Sequence, residues 1–390
     1  MRVKPRVLMV TGAYYPELSG GGLQARRIVH ALQRAVDFSI LTTSVDPRLP
    51  PVASDDGVAI RRIMVDMTSV ASKLTAGARL AFAFARRAPR IDVVNLHGFS
   101  RKAILLVALC RLFRKPFLLT LQTGGHDEPD GVRATGAAAY WAYRSADLYL
   151  SVSPGLSRAY LDAGLPVERL RQVCNAIETE RFRPARDGER DQLRRELGLP
   201  VDLPIVLFVG FFSRDKRPDL LYDAWTETLG AGRSLLLFVG ATQSVYHEVD
   251  DTIAAAIRER AGAGGHADLV RFVEPTLEIE RYFRAADVYV LPSIREGLSI
   301  ALLEAMASGL AAIATRLSGS TDTMIEPEVN GLLVEKDDRR GLAAALCRLL
   351  RDRALTARLG RAARATVVER YSMERTAGSW LSAYEAALYR

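Results

Sequence analysis

Glu296 and Glu304, with seven residues between them, straddle what reads as a strand-to-helix turn. The segment before them, Ala286–Pro292, is a short β-branched and apolar run stopped by a proline, the pattern of a buried parallel strand. Ser293–Ser299 has loop composition, and Ile300–Ser308 is rich in good helix formers. Glu304 therefore rides on the first turns of a helix, while Glu296 lies in the loop facing that helix's N-terminus. The backbone N–H groups of Gly297, Leu298, Ser299 and Ile300 could bind an anion there, aided by the helix dipole. A phosphate at that turn, with a carboxylate on each side, suits a nucleotide-linked sugar: one carboxylate for the sugar, the other for ribose hydroxyls. A helix start with two solvated glutamates has the same spelling, so the surrounding segments must decide.

Strand Ile205–Val209 runs into Gly210–Pro218, which carries Arg214 and Lys216 beyond the end of a parallel strand. Two cations at that place could offset the charge building on a departing diphosphate. An exposed basic turn capping the next helix is the other reading. The chain has only six lysines (4, 73, 102, 115, 216 and 336), so the context of each is informative. After the first strand, Gly20, Gly21 and Gly22 precede a helix, where glycines let a backbone approach a pyrophosphate closely. A plain flexible loop would look alike. The dinucleotide fingerprint G-x-G-x-x-G straight after the strand is absent, which disfavours an NAD-linked oxidoreductase. Strand Val93–Leu96 ends in His97, and strand Phe117–Leu121 is followed by His126 and Asp127. Among five histidines, two at matching strand ends favour function over packing.

The elements that must position these residues alternate between apolar strands and helical patterns, which calls for parallel sheets. A first series comprises Val7–Val10, Phe38–Thr42, Val93–Leu96, Phe117–Leu121 and Leu148–Val152. A second comprises Ile205–Val209, Leu235–Val239, Val270–Val273, Val288–Leu291 and Ala312–Thr315. The polar stretch Arg183–Asp191 between them reads as a linker. The expected fold is α/β: two doubly wound, Rossmann-like domains facing one another across a cleft, residues 1–184 and 185–370. Ligands in such sheets bind at the carboxyl ends of strands.

Composition bounds the partners. The 390 residues are 49% hydrophobic, enough for two full cores. No apolar run approaches the ~20 residues that span a bilayer, and the basic N-terminal stretch reads as a first strand rather than a signal peptide. Cys110, Cys174 and Cys347 lack metal-ligand spacing and read as reduced thiols in a cytosolic protein. Residues 1–184 carry 26 Lys and Arg against 15 Asp and Glu; residues 185–390 carry 27 against 30. The first domain thus expects something anionic, a membrane surface or a phosphate-bearing acceptor, or else simply a solvated arginine-rich surface. Nucleic acid lacks a supporting motif. Lys73–Arg87 and Arg101–Lys115 are both basic and apolar, fitting either interfacial helices or core helices with charged ends.

The ordered motifs resemble those of the family 4 retaining glycosyltransferases of the GT-B fold, over nearly the whole chain. They are Gly20-Gly21-Gly22, Ser151-Val152-Ser153, and Asn175-Ala176-Ile177-Glu178 with Phe182-Arg183-Pro184. They continue with Val209-Gly210 and Lys216, Pro292-Ser293 with Glu296 and Glu304, and Asn330-Gly331-Leu332-Leu333-Val334. The terminal segment 371–390 resembles the one that crosses back onto the first domain. The resemblance implies that the second domain binds a nucleotide-diphosphate sugar (UDP-, GDP- or other) and the first a hydroxyl acceptor, lipid-linked or anionic. Lys216 would contact the diphosphate, Glu296 the transferred sugar, residues 297–300 the phosphate, and Glu304 the ribose. His97, or else His126 with Asp127, would face the sugar or acceptor. Same-face attack assisted by the departing phosphate would need no metal, no other cofactor and no carboxylate nucleophile. The implied setting is cell-surface polysaccharide, glycolipid or glycoconjugate synthesis, in the cytoplasm or at the inner face of its membrane.

Some positions depart from the family pattern. Phe211 stands where the family often has an arginine, with Arg214 as the available substitute, and Gly319–Thr323 lacks the usual acidic end. Rival readings are a GT-B phosphorylase, disfavoured by chain length, a nucleotide-sugar epimerase, and a non-catalytic nucleotide-sugar-binding subunit.

Overall fold

The computed structural model describes residues 4–17, 19–243 and 249–389. Met1–Val3 of the expected first strand, Leu18 before the glycine run and the terminal Arg390 lie outside them. The chain forms two compact units, Met1–Ala176 with Met373–Arg390, and Ile177–Ser372. The division thus falls between Ala176 and Ile177 rather than after Pro184. Arg183–Asp191 is polar because it is ion-paired, not because it links. Glu189 opens helix Glu189–Glu196 and takes the guanidinium groups of Arg183 at 2.8 Å and Arg284 at 2.6 Å.

Among its described residues the first unit has eight strands: β1 Arg6–Thr11, β2 Asp37–Ser44, β3 Val52–Asp55, β4 Val58–Met64, β5 Val93–His97, β6 Phe117–Leu121, β7 Leu148–Ser151 and β8 Leu170–Gln172. Their spatial order is β3-β4-β2-β1-β5-β6-β7-β8, with only β3 and β4 antiparallel. β5, β6 and β7 are buried at every position, so their sequences run apolar instead of alternating. β3 and β4 form a hairpin that the alternation of strand and helix did not predict. Its turn, Asp56-Gly57, has positive φ at both residues (52° and 83°), a geometry suited to an Asp-Gly pair.

Helix Met373–Ala387 belongs to this unit. The Trp380 indole N–H donates to the Cys174 carbonyl at 2.9 Å. Tyr384 stacks edge-on with Phe38, and its hydroxyl accepts the Asn95 amide at 2.9 Å. Thr120 in turn donates to Asn95 at 2.9 Å. A short polar chain in the middle of the sheet is thereby satisfied without water, and it locks the terminal helix in place.

The second unit has six parallel strands: β9 Ile205–Val209, β10 Leu235–Val239, β11 Val270–Val273, β12 Val288–Leu291, β13 Ala311–Thr315 and β14 Leu332–Val334, in the order β11-β10-β9-β12-β13-β14. Phe208, Phe212, Phe238 and Phe272 pack with ring centroids 5.3–6.0 Å apart. Phe212 thereby anchors the start of the loop that carries Lys216. β8 and β14, three residues each at sheet edges, are too short for a pattern in sequence.

Tyr384→Phe keeps the ring but leaves the Asn95 amide without its acceptor in a dry core. The expected cost is about 1–3 kcal/mol, read as a lowered urea midpoint. An unchanged midpoint would show that the chain of hydrogen bonds does not hold the helix.

Candidate active site

In the second unit, strand order reverses between β9 and β12: β9 leads to β10 on one side, and β12 to β13 on the other. Open α/β sheets bind ligands at such a switch point. The loops leaving the two strands are joined there. The Ile294 N–H donates to the Asp215 carbonyl at 2.8 Å, and Arg295 pairs with the Asp215 carboxylate. A turn at Ser213, whose carbonyl takes the Lys216 N–H at 3.1 Å, aims the lysine across. Lys216 Nζ then donates to Glu296 Oε1 at 2.6 Å, with the Glu296 side chain only 8% exposed.

Beyond Glu296, Ser299 caps helix Ile300–Ala307, its Oγ accepting the Leu302 N–H at 3.4 Å. Gly297, Leu298 and Ser299 are buried, Ile300 is half-buried, and Glu304 is buried on the following turn. Beneath them lies Tyr289 of β12, fully buried and with no hydrogen bond to its hydroxyl. Its pKa is driven well up by burial, then by the charges of Glu296 and Glu304, so both carboxylates bear on one dry spot.

Arg214 stands apart from this group. Its side chain is 88% exposed and meets Asp250 at 3.2 Å, the residue that caps helix Asp251–Ala263. Sequence spacing alone put it beside Lys216; the exposed turn turns its guanidinium elsewhere.

The switch point of the first unit lies between β1 and β5. Gly20, Gly21 and Gly22 prove to be the first turn of helix Gly20–Leu32 rather than a loop ahead of it. Ser19 caps that helix, accepting the Gly22 N–H at 3.1 Å. The glycine requirement is clear at Gly22, where a Cβ would lie 2.6 Å from the Ala13 carbonyl oxygen, whereas Gly21 faces open space.

His97 ends β5, buried, with neither ring nitrogen hydrogen-bonded and Trp380 at a centroid distance of 6.1 Å. Burial lowers its pKa to about 4, so the ring is neutral, with one donor and one acceptor unspent. His126 and Asp127 play a different part. Asp127 is buried and accepts the N–H groups of Gln122, Thr123 and Phe99 at 2.6, 3.0 and 2.9 Å, besides the His126 ring at 2.9 Å. It clamps the β5 and β6 end loops, and the half-exposed His126 leans on it.

Lys102 is a further polar group at this switch point that the strand-end patterns do not single out. Its ammonium donates to the Thr11 carbonyl at 2.8 Å and the Thr43 hydroxyl at 3.0 Å, so it bridges from beyond β5 to the ends of β1 and β2. Among the described residues no carboxylate pairs with it, and burial lowers its pKa to about 8. The buried hydroxyls of Thr11, whose carbonyl Lys102 reaches, and of Ser100, two residues before it, are also without partners. Its rarity as a lysine, five residues past a strand-end histidine, was the available signal.

Two sheets of this kind, each with polar groups gathered at its switch point, are the architecture of the GT-B glycosyltransferases. The model of "glycosyl transferases group 1" matches residues 189–366, and that of the "glycosyl transferase 4-like domain" matches residues 19–176. D-inositol 3-phosphate glycosyltransferase of Geodermatophilus obscurus is 30% identical over 91% of this chain and 82% of its own. Alpha-maltose-1-phosphate synthase of Mycolicibacterium smegmatis is 27% identical over 97% of this chain and 98% of its own. Among solved structures, sucrose-phosphate synthase of Thermosynechococcus elongatus superposes with a TM-score of 0.80, at 22% identity and 99% coverage of both chains. Anabaena HepE in complex with UDP and glucose gives 0.79 at 16% identity, covering 98% of this chain and 100% of that one. The chain belongs to the group 1 glycosyltransferases and is an enzyme of that class.

The neutral His97 carries a pH signature. Its ordinary pKa of 6.5 applies in the unfolded chain, which therefore takes up a proton that the folded chain refuses. Stability falls as pH is lowered from about 6.5 to about 4, by as much as about 3 kcal/mol. His97→Gln should flatten that part of a stability-versus-pH curve; an identical slope in the variant would place the titration elsewhere.

Proposed function

We propose that this enzyme is a retaining glycosyltransferase that moves a sugar from a nucleotide-diphosphate sugar to a hydroxyl acceptor. The observation that carries this reading is the Lys216–Glu296 pair at the β9/β12 switch point, beside a serine-capped helix that bears Glu304. The second unit takes the donor. Lys216 and the N–H groups of residues 297–300 meet the diphosphate, Glu304 the ribose hydroxyls, and Glu296 the sugar being transferred. The acceptor oxygen bonds to the anomeric carbon on the face from which the diphosphate departs. The C–O bond to the diphosphate breaks, and the acceptor's proton passes to a phosphate oxygen. Lys216 stabilises the charge left on the leaving group. Binding of UDP by the similar HepE supports a nucleotide donor.

Arg214 contributes little on this reading, since its exposed guanidinium is paired with Asp250. The first unit takes the acceptor, with neutral His97 exchanging hydrogen bonds with a hydroxyl. His126 and Asp127 shape the loop next to it. Lys102, a cation with only neutral partners, favours an acceptor that bears a phosphate or carboxylate. Such acceptors fit glycolipid, polysaccharide or glycoconjugate synthesis.

Lys216→Ala is expected to lower kcat about a hundredfold with a smaller change in donor KM. Glu304→Ala is expected to raise donor KM about tenfold or more, the cost of one hydrogen bond to a charged group. Steady-state kinetics across a nucleotide-sugar panel, with donor hydrolysis as the readout, separates the two. Wild-type-like constants in both variants would sink the assignment. Conversion of the donor into an epimeric nucleotide sugar, without acceptor, would indicate an epimerase instead.

Lys102→Met should leave donor hydrolysis unchanged while raising KM about tenfold for a phosphorylated acceptor, and not for its dephosphorylated counterpart. Equal effects on both would reduce Lys102 to a strut between strands.

A further inference from the structure

Helix Val70–Arg87 buries Ala76, Leu80, Ala83 and Phe84, the one face a surface helix turns to its own core. Its outer face is not polar. Val70, Leu74 and Phe82 are 71%, 71% and 64% exposed, and with Ala78 they recur at every fourth position, one above another. Lys73, Arg79 and Arg86 are exposed around this stripe, and the helix has no carboxylate at all. Between Asp66 and Asp127 the only acidic residue in the sequence is Asp92, and that one is bound to Arg6 at 2.5 Å.

The cations and apolar groups are joined rather than segregated. The Arg86 guanidinium lies over the Phe82 ring at 5.7 Å. Helix Lys102–Leu112 packs against this helix, and its last residue, Leu112, is 74% exposed. Neighbouring Arg111 lies over the half-exposed Trp141 at 5.1 Å. Burial and the positive charges of Arg61 and Arg86 together depress the Arg87 pKa, a sign of a local field without counter-charge. No helix among the described residues is long and apolar enough to cross a membrane.

We propose that this face of the first unit docks on an anionic lipid bilayer, with Val70, Leu74 and Phe82 entering the interface and Lys73, Arg79 and Arg86 meeting headgroup phosphates. The charge pattern selects this occupant. A second copy, paired symmetrically through the same patch, would set cation against cation with no acid to relieve them. An apolar stripe bordered by a lysine and arginines is what an interfacial helix needs to sit among headgroups. The inference does not rest on the donor site, and it fails or holds independently of glycosyl transfer.

Co-sedimentation of the full chain with vesicles tests it, using phosphatidylcholine alone and phosphatidylcholine containing phosphatidylglycerol. At low salt the protein should bind the phosphatidylglycerol vesicles about tenfold more tightly or better than the neutral ones, and high salt should release it. The double variant Leu74→Ser, Phe82→Ser keeps every cation and should lose about tenfold of that affinity, with donor hydrolysis and circular dichroism unchanged. Arg79→Glu with Arg86→Glu should erase the preference for phosphatidylglycerol. Failure of the wild-type chain to sediment with phosphatidylglycerol vesicles would overturn the proposal. So would wild-type binding by the serine variant, or a dimer in light scattering that the serine variant abolishes.

Discussion

The reversal of strand order between β9 and β12 is the constraint on which the second unit's chemistry depends. Neighbouring parallel strands that send their chains to opposite faces leave an uncovered notch at their carboxyl ends. The loops on either side must be held in register by their own contacts, because no helix crosses the notch. Here three interactions do so: a backbone hydrogen bond from Ile294 to Asp215, the Arg295–Asp215 pair and the Lys216–Glu296 pair. The outer two fix the loops, and the inner one sets a cation against a carboxylate at the carboxyl ends of the strands. A backbone contact at the back supports them, since a Cβ at Gly240 would collide with the Gly210 carbonyl.

The first unit meets the same problem mainly with hydrogen bonds to backbone groups. Lys102 reaches over the notch to the end of β1, and Asp127 gathers three amides from the loops after β5 and β6. The terminal helix finishes the enclosure. Trp380 stands beside His97, and Tyr384 is bonded to Asn95 two residues earlier on β5. His97 owes its dry, uncharged state to a segment nearly three hundred residues away in sequence, so the chemistry available at that position is set by the return of the chain's end. A lysine with neutral partners and a histidine with none are costly to bury. Both lie at one switch point, where the buried Thr11 and Ser100 hydroxyls also lack partners.

Sequence patterns carried far for what is local and buried. All ten expected strands form close to their expected positions, because continuous apolar runs are what a sheet covered on both faces requires. The helix carrying Glu304 begins at Ile300, where composition put its start. What stayed hidden depends on distant partners. The glycine run merged into a helix because Ser19 caps it and Ala13 presses on Gly22. Arg214 turned toward Asp250, some forty residues on, which no spacing rule reveals. Asp127 stands in sequence as an acceptor-side candidate, yet its oxygens are taken by backbone amides. The polar stretch at Arg183–Asp191 looked like a linker since charge composition cannot tell solvated side chains from paired ones.

The departure at Phe211 has a consequence for the proposed chemistry. With Phe211 at the position where an arginine is frequent in the resembling family, and Arg214 facing Asp250, Lys216 is the cation that the loop after β9 brings to Glu296. In the resting protein it is already neutralised by that carboxylate, which is itself nearly buried. An incoming diphosphate must share Lys216 with Glu296, and a lysine between two anions contributes less net attraction to either than a free one. On this reading, more of the phosphate's stabilisation falls to the backbone N–H groups at the start of helix Ile300–Ala307. Those dipoles are fixed by the Ser299 cap and need no reorganisation when charge develops. Under the proposed chemistry this division of labour suits a leaving group better than a ground state: the helix-end dipoles would hold the phosphate throughout, and Lys216 would pass from Glu296 to the diphosphate as the bond to the sugar breaks.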